Sequence, residues 1–234
     1  MQSAQSESSQ STPALTVEFK TREQATYEAL RRAIIQGRWG QGEALVVSHL
    51  ATELGVSRIT VTNALKRLAG EGFVVLTPHK EAAVAPLEPK DIREIYLMRA
   101  ELEALSAREA AHRVTKGDLD DLRALNDEIA RLRAQPEPDI RAIRAIDLAF
   151  HRRLRQIPDM PRLSQTLQNL ADQCEGYRAR LLDLRLLAMP TAERHLPIIA
   201  ALEAHDSSLA AELMRVHVLE GMEAVLSTLS TDGT

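Results

Sequence analysis

The chain has 234 residues, a formal net charge of −4 and only 3% aromatic residues, so its core is expected to be aliphatic. No apolar run approaches the roughly 20 residues that span a bilayer, and the N-terminus lacks the basic-then-apolar order of a signal peptide. The single cysteine, Cys174, excludes an intrachain disulfide. We therefore expect a helix-rich cytoplasmic protein without a membrane partner.

The charge is distributed unevenly along the chain. Residues 19–86 contain nine Lys/Arg and six Asp/Glu, whereas residues 87–234 contain twenty and twenty-five. A mildly basic N-terminal part joined to an acidic body is compatible with DNA binding, although a charged run is often only a solvated face.

Hydrophobic periodicity predicts the first elements. An apolar stripe indicates a helix that starts near Thr21, and a short helix follows at 47–54. Gly55 then supplies a turn, and Ser57 is the expected N-cap of a helix over 58–69.

After this helix the apolar pattern changes to that of strands. Residues 73–76 and 82–84 predict two short strands around a turn at 77–80. The order helix, helix, glycine-containing turn, helix, hairpin is the layout of a winged helix-turn-helix.

These patterns divide the chain into four parts: a disordered tail at 1–18, a winged helix-turn-helix domain at 19–86, a linker at 87–90 and an all-helical domain at 91–230. The expected fold class is therefore mainly α, with an N-terminal winged helix-turn-helix and a C-terminal helical bundle. Prolines separate the bundle helices, which are predicted near 90–114, 117–133, 138–156, 161–188, 193–204 and 207–228. Asp206 is the expected N-cap of the last of them.

The helix at 58–69 is the expected reading helix, because the second helix of a helix-turn-helix enters the major groove by its N-terminal residues. The side chains of this helix not needed for packing are Ile59 and six polar ones, and the polar ones are the candidate DNA contacts on bases and phosphates. They are Arg58, Thr60, Thr62, Asn63, Lys66 and Arg67, with Lys80 on the turn between the strands. The alternative is a small helical subdomain with a polar outer face, and the hairpin that follows favours DNA binding.

This N-terminal part resembles the GntR family of bacterial regulators. The resemblance rests on Gly42-Glu43, Leu45, Leu50-Ala51, Leu54-Gly55-Val56-Ser57-Arg58, Val61, Ala64-Leu65, Arg67-Leu68-Ala69 and Glu71-Gly72. Three places depart from the family pattern: Val46 and Val47 occupy usually polar positions before the second helix, Thr62 replaces a common arginine, and the wing tip Lys80-Glu81-Ala82 lacks the usual glycine.

Several polar residues of the helical part fall on inward faces. Asp147 and His151 are one helical turn apart on an apolar face, and His217 shares a face with leucines on the last helix. With His195, they form a set of three imidazoles and a carboxylate, which suits a divalent transition metal: zinc, nickel or manganese. The alternative is that each is a hydrogen-bonded core or surface residue.

Arg99 is a second inward-facing charge, since it shares a face with Ile92 and Ile95. A buried guanidinium needs an anion. Either an internal carboxylate, for instance Asp147, or a ligand carboxylate held bidentately meets this need. Tyr96 is expected to line the cavity in which Arg99 would hold that ligand.

Residues 90–228 resemble the all-helical FCD ligand-binding domain of the FadR-type GntR subgroup. Its first helix is matched by Asp91-Ile92, Glu94-Ile95-Tyr96, Arg99 and Leu102-Glu103. The resemblance implies that Asp147, His151, His195 and His217 are metal ligands and that Arg99 helps to bind an organic acid beside the metal. Pro197 departs from the pattern and leads us to expect His195 near a helix start.

The expected function is that of a transcription regulator and not of an enzyme. A regulator of this kind is expected to bind a palindromic duplex operator as a homodimer. Its two reading helices must enter major grooves that lie about 34 Å apart, or a multiple of that distance. An effector would act through the linker, and repression relieved by ligand is what the resemblance implies. The alternatives are a metal-dependent enzyme built on the helical domain and an effector-independent DNA-binding protein.

Overall fold

A computed structural model describes residues 21–178 and 191–229. The described residues are mainly helical, which confirms the expected fold class; the predicted tail at 1–18 lies outside them. The elements are α1 (Arg22–Ile35), β1 (Ala44–Leu45), α2 (Val47–Leu54), α3 (Arg58–Gly70), β2 (Val74–Val75), β3 (Ala82–Val84), α4 (Pro89–Ala111), α5 (Lys116–Arg133), α6 (Ile140–Gln156), α7 (Pro161–Arg178), α8 (Thr191–Glu203) and α9 (Ser207–Leu229).

The turn between α2 and α3 forms as the sequence predicts. Gly55 ends α2 in the left-handed region at φ 63°, where a side chain would add strain. Ser57 then caps α3, because its hydroxyl accepts a hydrogen bond from the Thr60 backbone N–H at 3.1 Å. These two residues set the angle at which α3 leaves α2.

A three-stranded antiparallel sheet of order β1-β3-β2 closes the N-terminal part. Ala44 pairs with Ala83, and Val74 pairs with Val84. The strand predicted at 73–76 is shorter than expected, and β1 was not predicted, because two residues show no alternation. The sheet covers a core that includes fully buried Val61 and Leu68 of α3.

In the helical part, α4 packs most extensively against α9, and α5 packs against both α6 and α8. Asp206 caps α9, as expected, by accepting from the Leu209 N–H at 2.9 Å. Pro197 does not mark a helix start beside His195: it lies inside α8, in which His195 is the fifth residue from Thr191. The predicted helix at 161–188 is observed to Arg178, beyond which it lies outside the described residues.

Candidate metal centre and DNA-reading surface

Three helices bring the four predicted metal ligands together. On α6, the His151 Nε2 atom lies 3.8 Å from Asp147 Oδ1. His195 of α8 places its Nε2 3.6 Å from the same oxygen. His217 of α9 places its Nε2 3.2 Å from His151 Nε2. The three imidazoles offer ligand atoms that all lie within 4.8 Å of one another.

These separations fit a metal ion at the centre of the group. Ligand atoms about 2.0–2.1 Å from a tetrahedral zinc stand about 3.3 Å apart. The observed 3.2 to 3.8 Å between neighbouring ligand atoms brackets this value. Nitrogen and carboxylate donors are also the types that zinc and its neighbours in the transition series prefer.

The buried imidazoles have unused hydrogen-bonding atoms. Within the part of the chain that the structure describes, neither ring nitrogen of His195 has a hydrogen-bond partner, and Nδ1 of His151 and of His217 also lacks one. Buried polar atoms in folded proteins are nearly always paired. A metal ion would engage one nitrogen of each ring, so the donor set fits the group.

Burial keeps these imidazoles neutral at physiological pH. It lowers the pKa of His195 to about 3. Burial, reinforced by the other two rings, holds the pKa of His151 well below its ordinary value, and burial lowers the pKa of His217 as well. Neutral rings have a free lone pair, which is the form that binds metal.

Two neighbours orient the ligands. Arg144, one turn before Asp147, donates to Asp147 Oδ2 and also binds both oxygens of Glu175 on α7, at 3.0 and 2.6 Å. The Phe150 ring stacks on the His195 ring with centroids 3.8 Å apart and planes 5° from parallel. Sequence reasoning missed Arg144 and Glu175. The three-residue spacing from Arg144 to Asp147 was the available signal.

Arg99 is buried, and its internal partner is Glu103 rather than Asp147. The Arg99 Nη2 atom lies 3.6 Å from Glu103 Oε1. Glu103 is fully buried and is also bound by Arg155, whose Nε lies 3.1 Å from each of its oxygens. One carboxylate therefore faces two guanidiniums. Tyr96 lies beside them, with its ring centroid 4.9 Å from the Arg99 guanidinium carbon.

The exposed face of α3 is narrower than the sequence suggested. The Thr62 hydroxyl donates to the Arg58 carbonyl at 2.8 Å, and the Thr60 hydroxyl lies 2.8 Å from that of the capping Ser57. The side chains left facing solvent include Arg58, Asn63 and Lys66, and Lys80 is exposed near the wing tip.

Arg67 is half-exposed, and its guanidinium is held against α1. Its central carbon lies 3.6 Å from the Tyr27 ring centroid, and its Nη1 donates to Gln24 at 2.8 Å. The structure therefore separates Arg67 from the other candidates.

Two family comparisons agree with this architecture. Residues 22–84 match the family described as bacterial regulatory proteins, gntR family, and residues 94–220 match the FCD domain. The chain belongs to the GntR family and carries an FCD domain. This GntR regulator is thus a DNA-binding transcription regulator and not an enzyme, as predicted.

Similar proteins are also regulators. The chain is 26% identical over 203 residues to the HTH-type transcriptional repressor RspR of Escherichia coli K12, covering 86% of this chain and 88% of that protein. It is 28% identical over 193 residues to a probable D-xylose utilization operon transcriptional repressor of Paenarthrobacter nicotinovorans, covering 79% of this chain and 80% of that protein.

Solved structures share the fold of this GntR regulator. Escherichia coli McbR/YncC has a TM-score of 0.72 at 21% identity, covering 91% of this chain and 100% of that one. A GntR family member from Pseudomonas syringae has a TM-score of 0.52 at 26% identity, covering 90% and 87%. Among the described residues, no helix is long and apolar enough to cross a membrane.

Proposed function

We propose that this regulator binds a divalent transition metal, zinc before nickel or manganese, through Asp147, His151, His195 and His217, and that a small carboxylate metabolite bound beside it modulates operator binding. The observation that carries the proposal is the convergence of three neutral imidazoles, two buried and one half-buried, and a carboxylate from three helices, at ligand-atom separations of 3.2 to 3.8 Å. A bound metal supplies a Lewis-acidic position that takes a carboxylate oxygen.

The charged side chains beside the proposed metal site favour an anionic effector. Arg99, Arg144 and Arg155 stand against Asp147, Glu103 and Glu175, so these six side chains carry no net charge. A divalent cation would leave an excess of two positive charges in a buried site, which an organic acid would reduce.

Arg99 is the candidate for the second effector contact. Glu103 stays bound by Arg155 when Arg99 turns away, and the Arg99–Glu103 contact is the longer of the two at 3.6 Å. The Arg99 Nε atom has no hydrogen-bond partner among the described residues. A carboxylate would give this guanidinium the bidentate partner that it lacks, with Tyr96 against its face.

The regulator functions as a homodimer in this proposal. The exposed faces of α4 and α9 carry large apolar residues, and Arg215 joins the two faces by binding Glu101 at 2.9 and 3.0 Å. The apolar residues are Leu97, Met98 and Leu105 on α4 and Leu209 and Val216 on α9. A second copy on this surface would bury them and present two reading helices to a palindromic operator through Arg58, Asn63, Lys66 and Lys80.

Repression is the proposed direction of control, supported by two similar proteins that are named repressors. The effector would then favour a form with lower operator affinity, and the linker at 87–90 would carry the change to the reading heads.

The test begins with an operator selected from a random duplex library. Metal in the purified protein is measured by native mass spectrometry, and operator affinity is compared for chelator-treated, zinc-loaded and carboxylate-treated protein. We expect one metal per chain and a carboxylate that lowers operator affinity in wild type but not in Arg99→Ala. Full operator binding that responds to neither metal nor any carboxylate would indicate an effector-independent DNA-binding protein and contradict the proposal.

A further inference from the structure

Ile59 is an apolar side chain at the tip of the reading helix. It is the second residue of α3, at the end that enters the major groove in a helix-turn-helix. It is 74% exposed, the largest fraction among the exposed large apolar residues of the described chain. No contact among the described residues accounts for an isoleucine at this position.

Among the described residues of α3, Ile59 is the one large apolar side chain that is exposed, and its neighbours are polar. The Thr60 and Thr62 hydroxyls are engaged by Ser57 and by the Arg58 carbonyl, as described above. The flanking exposed side chains, Arg58 and Asn63, are polar. In the major groove, the C5-methyl of thymine is the one apolar group that a base edge presents.

We propose that Ile59 reads a thymine by packing against its C5-methyl group, and so sets sequence preference at one position of each site that α3 contacts. Removing one methyl from this contact is expected to lower affinity about fourfold, since burial of one such group contributes about that factor. Arg58 and Asn63 would read the adjacent base edges.

The experiment replaces each thymine of the selected operator by deoxyuridine, which removes only the methyl. Wild type is expected to lose about fourfold in affinity at one position per contacted site. In Ile59→Ala that position should lose its effect, whereas Lys66→Ala should retain it while binding more weakly overall. Wild-type binding that is insensitive to every deoxyuridine, or an unchanged penalty in Ile59→Ala, would overturn the proposal.

A second, independent observation concerns α7, which contacts both Arg144 beside the proposed metal site and the DNA-binding domain. On one side, Asp172 Oδ2 lies 2.6 Å from Arg31 Nη1 of α1, and Asn169 accepts from Arg31 Nη2 at 3.0 Å. The Gln173 amide donates to the Glu71 carbonyl at 2.9 Å. Three polar contacts therefore join α7 to the DNA-binding domain.

Arg31 is well placed to fix the position of α7. It is largely buried, its guanidinium carbon lies 4.9 Å from the Phe73 ring centroid, and its Nε lies 3.5 Å from Glu71 Oε2. Gly72 packs so closely on Gln173 that a Cβ atom there would lie 3.2 Å from the amide nitrogen. The interface is thus tight as well as polar.

Glu175 lies two residues after Gln173 on the same helix. It binds Arg144, which also holds the proposed metal ligand Asp147. We infer that α7 couples metal binding to operator binding through Asp147, Arg144, Glu175 and the Arg31–Asp172 ion pair; this inference rests on the proposed function. If Asp147 were to ligate a cation, its ion pair with Arg144 would weaken. Arg144 would then hold Glu175 of α7 with a different strength.

The test compares the ratio of operator affinities with and without zinc in wild type and Asp172→Asn, with zinc content measured in both. We expect a wild-type ratio of about 5 to 150 in either direction, and a ratio near one in Asp172→Asn at unchanged zinc content. Glu53→Gln, which alters an exposed ion pair with Arg38 inside the DNA-binding domain, is the control and should keep the wild-type ratio.

The outcomes separate the two claims. Asp172→Asn with full zinc content and the wild-type ratio would overturn the coupling route and leave the metal site standing. Absence of zinc from loaded wild type would overturn the proposed function, and the coupling with it.

Discussion

The Nε2 atoms of His151 and His217 approach to 3.2 Å although the two residues lie 66 positions apart in the chain, on different helices. Two neutral imidazoles at this distance share at most one proton as a hydrogen bond, and the third ring, His195, has no hydrogen-bond partner among the described residues. The cluster thus leaves ring nitrogens without hydrogen-bond partners, a state that a metal ion bound to one nitrogen of each ring would relieve.

The double variant His151→Ala with His217→Ala is expected to lose bound metal, because two of the four ligands are removed. Metal content after zinc loading and dialysis checks this. His205→Gln is the matched control, since the His205 Nδ1 lies 2.7 Å from the Ala111 carbonyl, outside the cluster, and should keep its metal. Full occupancy in the double variant would show that the ligand set is wrong.

Metal-free protein is expected to lose stability as the pH falls below 6.5. The pKa of each cluster imidazole is lowered by burial in the folded state, that of His195 to about 3, so the unfolded chain takes up protons first. Each such group contributes a loss of up to about 1.4 kcal/mol per pH unit below 6.5, and nothing above it. Urea unfolding of chelator-treated protein between pH 7.5 and 5 measures this decline.

The control for the pH experiment is His112→Gln, at an exposed position, which should show the same decline as wild type. A free energy of unfolding that stays constant from pH 7 to 5 would contradict the prediction.

Glu103→Gln is expected to lower the free energy of unfolding by about 3 kcal/mol, because Arg155 and Arg99 would lose the buried carboxylate that both face. Glu128→Gln is the control: its carboxylate is exposed on α5 and binds Arg131, so its effect should stay under about 1 kcal/mol. Equal losses in the free energy of unfolding would show that the buried group of Arg99, Glu103 and Arg155 contributes no more than an exposed ion pair.

Lys66→Ala is expected to weaken operator binding and to reduce the slope of log affinity against log salt by about 1, as for one lost phosphate contact. Arg67→Ala should leave the slope unchanged, because the Arg67 guanidinium is engaged by Tyr27 and Gln24. Fluorescence anisotropy over a salt series distinguishes them, and a slope change in Arg67→Ala alone would reverse the assignment.

Met98→Glu with Leu105→Glu is expected to convert the dimer to monomers, since it places two charges on the apolar face of α4. Leu196→Glu, at an exposed leucine of α8 outside the proposed interface, is the control. Sedimentation velocity reads the oligomeric state directly, and a monomeric wild type would remove the proposed interface.

Local pattern was enough to predict the helix-turn-helix and the inward face of α6, whereas Leu209 on the predicted inward face of α9 is exposed. Ser57 and Asp206 announce helix starts by their own chemistry, and the spacing of Asp147 and His151 fixes their common face. These features depend on residues near one another in sequence, which periodicity can report.

Contacts between distant elements could not be predicted in this way. Arg144 meets Glu175 across 31 residues, and Arg67 meets Tyr27 of another helix. The Arg99–Glu103 pair, four residues apart on α4, was open to prediction from its spacing, but Arg155 meets Glu103 across 52 residues. Such pairings are set by how helices pack, which a single sequence states only through resemblance.

The junction between β3 and α4 has a geometric consequence. The strand ends at Val84, and α4 begins at Pro89 behind a capping box formed by Glu88 and Asp91. Five Cα–Cα steps join Val84 to Pro89 and reach at most about 18 Å, so each reading head stays close to the start of α4. Inserting about five base pairs between the operator halves would shift one half-site by roughly 17 Å and turn it to the opposite face of the duplex. In a dimer joined through α4, this insertion should abolish simultaneous engagement of both halves.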